Sequence, residues 1–209
     1  MRLSDVPVPD STAARAALDV ATQYYSPALR NHAIRAYLWG AIYARRNGIA
    51  VDTELLYVAA MLHDLGLVAA FDSHTIDFEY AGGHVAWVFC AGLGWPAQRR
   101  KRVADVIVQH MWNESDPALD PGREPEGHVL AVSTGMDISG GRVDEIPVPL
   151  RTEVLARYPR LGLAAEFGAC FAGQAERKPT STAAAAVRGG LAARIADNPL
   201  DRGPRPDGG

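Results

Sequence analysis

The chain has 209 residues, of which 48% are hydrophobic and 22% charged, and its net charge is −3. That composition suits one globular domain with a substantial buried core, and the acidic balance excludes a nucleic-acid phosphate-binding surface. No apolar run is long enough to span a bilayer, the segment Met1–Pro7 lacks a signal-peptide core, and Cys90 and Cys170 make no disulfide framework, so a cytoplasmic protein without a membrane partner is expected.

Helix signals recur along the chain and strand signals are scarce. Asp10-Ser11 caps a first helix running to about Tyr25. Ser26-Pro27 supplies an N-cap and an N1 proline for a second, which Gly48 stops. Asp52 caps a third, with Glu54 near its positive end; it carries His63-Asp64 and ends near Gly66. A loop over 69–77 precedes a helix from about Phe78 to Ala91. Its Gly82-Gly83 pair costs helix stability and marks close approach of a neighbour. Pro96 opens a helix reaching Trp112. Residues 113–127 read as a surface loop. Helices follow at about His128–Ile138, Pro147–Tyr158, Leu161–Glu176 and Thr182–Asp197. The fold class is all-α: one domain over residues 1–197, built of eight or nine helices, with a flexible tail over 198–209.

Four residues carry the chemistry: His32, His63, Asp64 and Asp137. His63-Asp64 interrupts the apolar run Leu55–Val68, which is expected to be buried. A buried imidazole and carboxylate side by side are costly unless something neutralises them. A divalent transition metal would do so, with zinc the first choice and iron, manganese or cobalt as alternatives. Asp137 interrupts a second apolar run, Val129–Met136, and His32 lies within another helix.

A lone His, a His-Asp pair and a distant Asp resemble the HD superfamily of metal-dependent hydrolases. The match is narrower at Asn31–Gly40, Ala60–Gly66, Phe78–Gly83, Val106–His110, Ser133–Asp137 and Glu176–Thr182. These segments are similar to those of cyanamide-hydratase-type HD proteins. The resemblance covers about residues 26 to 190 and implies an HD-domain helical bundle with its metal-site core over about 26–140. One metal would be held by His32, His63, Asp64 and Asp137. His110 lies where such proteins often place a histidine facing the site, so His110 and Asp64 are the expected catalytic residues. Arg35, Glu79 and Lys178 are the expected substrate-binding residues. His84 and His110 have roughly the order that a dinuclear site would need, but a single metal is favoured. His74 and His128 are expected to be solvated.

The pattern departs from HD nucleotidases at Leu67, where some carry a catalytic Glu. The site segments are apolar (Leu62, Leu65, Leu67, Val68, Phe71, Phe78, Trp87, Trp112), whereas phosphate substrates call for several cations. The expected function is therefore a metal-dependent hydrolase or hydratase acting on a small molecule, including hydration of a cyanamide- or nitrile-type C≡N group. A phosphohydrolase acting on a nucleotide or other phosphate ester is the alternative, followed by a non-catalytic ligand-binding module and a diiron oxygenase. A homo-oligomer is compatible with the sequence.

Overall fold

The computed structural model describes residues 2–112 and 122–202, and within them the protein is all-α, with ten α-helices. In chain order these are α1 (Thr12–Tyr24), α2 (Pro27–Arg46), α3 (Thr53–Leu62), α4 (Phe78–Gly92), α5 (Ala97–Gln109), α6 (Pro125–Ser139), α7 (Val148–Arg157), α8 (Leu163–Arg177), α9 (Thr182–Arg188) and α10 (Leu191–Ala196). The N-terminal signals act as read. Ser11, Ser26 and Asp52 each accept a hydrogen bond from a backbone N–H three residues on, which satisfies donors that the helix leaves unpaired.

The length of α2 and the apolarity of α3 set the centre of the molecule. Every residue from Leu55 to Leu62 is buried, so α3 is enclosed on all sides. α1 and α2 pack against it, α2 also lies along α6, and α4 and α5 form a hairpin whose second helix reaches both α3 and α6. α8 and α9 close the bundle over the C-terminal end of α3. Residues 72–79 are tied to the end of α8 and to the start of α9. Asp72 accepts from Gln174 and Arg177, and Asp77 and Glu79 accept from Thr182.

The structure differs from the sequence reading at three boundaries. The helix expected over 182–197 is two helices, because Gly190 takes a left-handed φ of +81° and turns the chain between them. α6 begins at Pro125 rather than His128, using an N1 proline. The tail expected from 198 is packed as far as 200: Asn198 is fully buried, Leu200 is buried, and Asn198 Nδ2 donates to the carbonyl of Asp137 at 2.9 Å. The rest of that tail, and most of the loop expected over 113–127, lie outside the described residues.

α3 ends one residue before the His-Asp pair, and a 3-10 turn over Leu65–Leu67 follows. α4 crosses directly over this turn. A Cβ on Gly66 would lie 2.0 Å from the carbonyl oxygen of Phe78, and one on Gly82 would lie 3.0 Å from that of His63. The close approach expected of Gly82 is thus present, and its partner is the backbone that carries the candidate site. Gly66→Ala is expected to destabilise the protein by about 1–3 kcal/mol or more, the range for overpacking a filled core. Denaturant unfolding checks this, and an unchanged midpoint would contradict it.

Candidate metal centre

His32 projects from α2, and His63 and Asp64 leave the bundle's central helix where its regular turn gives out. All three are buried. His32 Nε2 lies 3.2 Å from His63 Nε2 and 3.5 Å from Asp64 Oδ2, and His63 Nε2 lies 3.2 Å from the same oxygen. The other ring nitrogens are already committed. His32 Nδ1 sits 2.7 Å from Asp137 Oδ2, and His63 Nδ1 2.8 Å from the carbonyl of Ala60. Those oxygens only accept, so each Nδ1 carries the proton and each neutral ring presents its Nε2 lone pair inward.

Three electron-pair donors therefore converge with no proton placed among them. Neither oxygen of Asp64 receives a hydrogen bond, although both are buried. An ionised carboxylate in that state is costly, and a metal cation is the compensating partner that this donor set suits. Two imidazoles and a carboxylate are ligands of the zinc and iron type. Imidazole ligands characteristically give their second N–H to a carbonyl or carboxylate, as both do here. Among the described residues this is the one such cluster within ligand spacing.

The electrostatics agree with a site built for positive charge. Burial pulls His32 below its ordinary value. Burial acts the same way on His63, but the neighbouring Asp64 carboxylate outweighs it and holds His63 above the usual 6.5. Asp64 would be raised by burial, yet the charge of His63 beside it brings it down to about 2. A proton on His63 is thus the alternative cation.

His110 stands at the end of α5, with its ring 5.0 Å from that of His63. Its Nδ1 is bonded to the carbonyl of Ile107, leaving Nε2 as an acceptor. Burial, reinforced by the charge of His63, pushes its pKa down to about 3. His110 is therefore neutral at ordinary pH, and with its N–H already given to a carbonyl it is a proton acceptor rather than a ready donor.

Asp137 sits elsewhere than the expected ligand set requires. It lies on the Nδ1 side of His32 rather than with the converging atoms. Its carboxylate accepts from Arg35 Nε at 2.8 Å and Arg35 Nη2 at 2.7 Å, from Trp39 Nε1 at 3.0 Å and from His32. Arg35 was expected near substrate. It is instead fully buried, and its remaining donor goes to the carbonyls of Tyr158 and Pro159. Lys178 is likewise withdrawn, donating to the carbonyls of Ser73 and Ile76. Glu79 accepts from Thr182 and does not line the cavity beside the cluster.

That cavity, of about 160 Å³, is bounded by His32, His63, Asp64 and His110 on one side. Phe167 and Phe171 from α8, with Ile138 and Thr134 from α6, form much of the rest. The two phenyl rings stack at 4.5 Å, and Phe167 lies 5.8 Å from His32. Sequence reasoning missed this wall. Phe167 and Phe171 stand four residues apart on an ordinary amphipathic helix, and nothing in their spacing separates a cavity wall from core. Two aromatics assigned to the site are outside it: Trp87 and Trp112 are exposed, and Trp87 carries the Arg100 guanidinium over its ring. His84 and His74 are exposed. His128 is buried, not solvated, and its Nε2 lies 3.2 Å from the Tyr43 hydroxyl.

His63→Ala and Asp64→Ala are each expected to lose stoichiometric metal, measured by elemental analysis of purified protein; full occupancy in both would remove the basis for a metal centre. pH gives a second measure. Metal and proton compete for His63 Nε2, and its raised pKa means that competition begins above pH 6.5. Affinity for zinc is expected to fall roughly tenfold per pH unit below that point, for one displaced proton. Calorimetric titrations between pH 5 and 8 check this, and a flat profile would contradict it.

Comparison with known proteins agrees with the site. The HD domain family matches residues 29–116, a span that takes in His32, His63, Asp64 and His110 and ends before Asp137. The cyanamide hydratases DDI2 and DDI3 of Saccharomyces cerevisiae are each 26% identical to the chain over 179 residues, covering 83% of it and 77% of their own length. No helix among the described residues is long and apolar enough to cross a membrane. The HD-domain match thus spans the metal-type cluster on an all-α bundle, and the chain is similar over most of its length to proteins named as cyanamide hydratases.

Proposed function

We propose that the protein is a metal-dependent hydratase of a small, uncharged, linear substrate of the cyanamide or nitrile type. The observation that carries this reading is the pairing of the His32–His63–Asp64 cluster with a small apolar cavity. The cavity measures about 160 Å³. Among the described residues the lining holds no Lys or Arg, and Arg35 and Lys178 are both committed elsewhere. A phosphate ester brings charge that this lining does not meet.

His32, His63 and Asp64 would hold the metal, which would supply Lewis acidity toward a substrate atom and water. The chain's own residues do the rest. Phe167, Phe171 and Ile138 line the cavity and offer an apolar wall that holds a rod-shaped substrate against the cluster. His110, neutral and with Nε2 free of its fixed Nδ1–H bond, accepts the proton that the attacking water releases. It then returns that proton to the nitrogen where negative charge develops. The net change is addition of water across the C≡N bond, and no external oxidant or reductant enters. The similarity to proteins named for cyanamide hydration supports the same substrate class.

His110→Gln is expected to leave the metal bound and to lower turnover by about 10²–10⁴-fold, the usual range for a general acid–base group. Metal analysis and steady-state kinetics on one preparation check both halves. The substrate class is tested by presenting the metal-loaded protein with cyanamide, small nitriles, nucleotides and a generic phosphodiester. Urea from cyanamide, or an amide from a nitrile, is expected to exceed any phosphate release. Robust phosphate release with no hydration product would overturn the reading in favour of a phosphohydrolase.

A further inference from the structure

We infer that Asp137 is not a metal ligand but a positioning residue, which fixes His32 through its Nδ1 proton and is itself locked by Arg35 and Trp39. The inference rests on the metal reading above and refines it.

Two buried carboxylates stand on opposite sides of His32, in opposite states. Asp64 receives no hydrogen bond at either oxygen. Asp137 receives four, two at Oδ1 from Arg35 Nε and Trp39 and two at Oδ2 from Arg35 Nη2 and His32. An ionised carboxylate has about four lone-pair sites, so Asp137 has none left for a metal, and Asp64 has all of its own. Position agrees with this count. Asp137 lies 2.7 Å from His32 Nδ1, whereas the converging atoms gather at Nε2 on the other edge of the ring.

Recruitment of Asp137 to a metal would require it to give up part of this set. Arg35 is fully buried, and its charge would then lack compensation in the core. Movement of the main chain is opposed as well, because the Asp137 carbonyl accepts from Asn198 Nδ2 at 2.9 Å and from Arg160. Arg160 is in turn held by Asp201 at 2.6 and 3.0 Å. The arrangement also has a local logic. His32, Arg35 and Trp39 stand at i, i+3 and i+7, on one face of α2. One helix face thus presents a ligand, the cation that keeps Asp137 ionised, and a neutral donor that fills its last site. The product is a carboxylate–imidazole pair that sets the tautomer and raises the basicity of the ligating ring.

The direct test is the crystal structure of the zinc-loaded wild-type protein with anomalous scattering at the zinc edge. Zinc is expected on His32 Nε2, His63 Nε2 and Asp64, with Asp137 still on His32 Nδ1. An Asp137 oxygen at a bonding distance of about 2.0–2.2 Å from zinc would overturn the inference while leaving a metal enzyme. A wild-type protein that takes up no metal would instead overturn the metal reading, and this inference with it. Cobalt(II) titration provides a second measure. Asp137→Asn is expected to weaken cobalt binding by about 10–100-fold without changing the shape of the visible ligand-field bands. Trp39→Phe keeps the carboxylate charge and is expected to shift affinity in the same direction by less, again with unchanged bands. Bands altered in Asp137→Asn as for a lost oxygen ligand, or an unchanged affinity in both variants, would contradict it.

Discussion

A carboxylate held ionised inside an apolar core must be compensated, and that constraint organises the middle of this protein. The molecule meets it twice with different chemistry. Asp137 is compensated from within the chain, by a guanidinium in bidentate contact and by two further N–H donors. Asp64 is compensated by nothing that the chain supplies as a hydrogen bond. What faces Asp64 is a pair of imidazole lone pairs whose protons point away. The first solution makes a rigid post; the second leaves a negative, electron-rich vertex beside a cavity. His32 belongs to both, one ring nitrogen turned to each.

The walls of that cavity explain how one site can be selective without many specific contacts. Confinement by phenyl rings and aliphatic groups discriminates by size and charge. Hydrophobic pockets reject small differences in size only weakly, but they reject unpaired charge strongly. On the proposed function, walls of this kind exclude phosphate esters better than they distinguish one small neutral molecule from another of the same width.

Much of this was legible in the sequence, and the failures have identifiable causes. The all-α class and most helix starts follow from caps and periodicity, as at Ser11, Ser26 and Asp52. His32, His63 and Asp64 stood out because polar residues in apolar runs need partners, and partners they have. Asp137 satisfied the same criterion for a different reason, since the sequence marks a buried carboxylate without saying which cation answers it. The spacing of His32, Arg35 and Trp39 held that information, but only once the burial of all three was known. The aromatic wall from α8 was not legible, because cavity walls and cores draw on the same residues. The segment from Asn198 onward read as a tail because Pro, Gly and polar residues dominate it, yet Asn198 and Asp201 are held there by contacts from distant parts of the chain.

Those distant contacts set an order of assembly. The bonds that complete the His32 environment join residues far apart in sequence: α2 to α6 across 105 residues at His32–Asp137, α2 to Pro159 across 124 at Arg35, and α6 to Asn198 across 61. None of them can form while the later partner is still unsynthesised, and each must first overcome the entropy of closing a long loop. During synthesis, His63-Asp64 emerges well before the groups that hold His32 in register. A nascent chain therefore offers loose, mobile ligands, whereas the finished fold offers fixed ones. The fixed geometry of the His32–His63–Asp64 cluster is thus acquired at the close of folding rather than at its start.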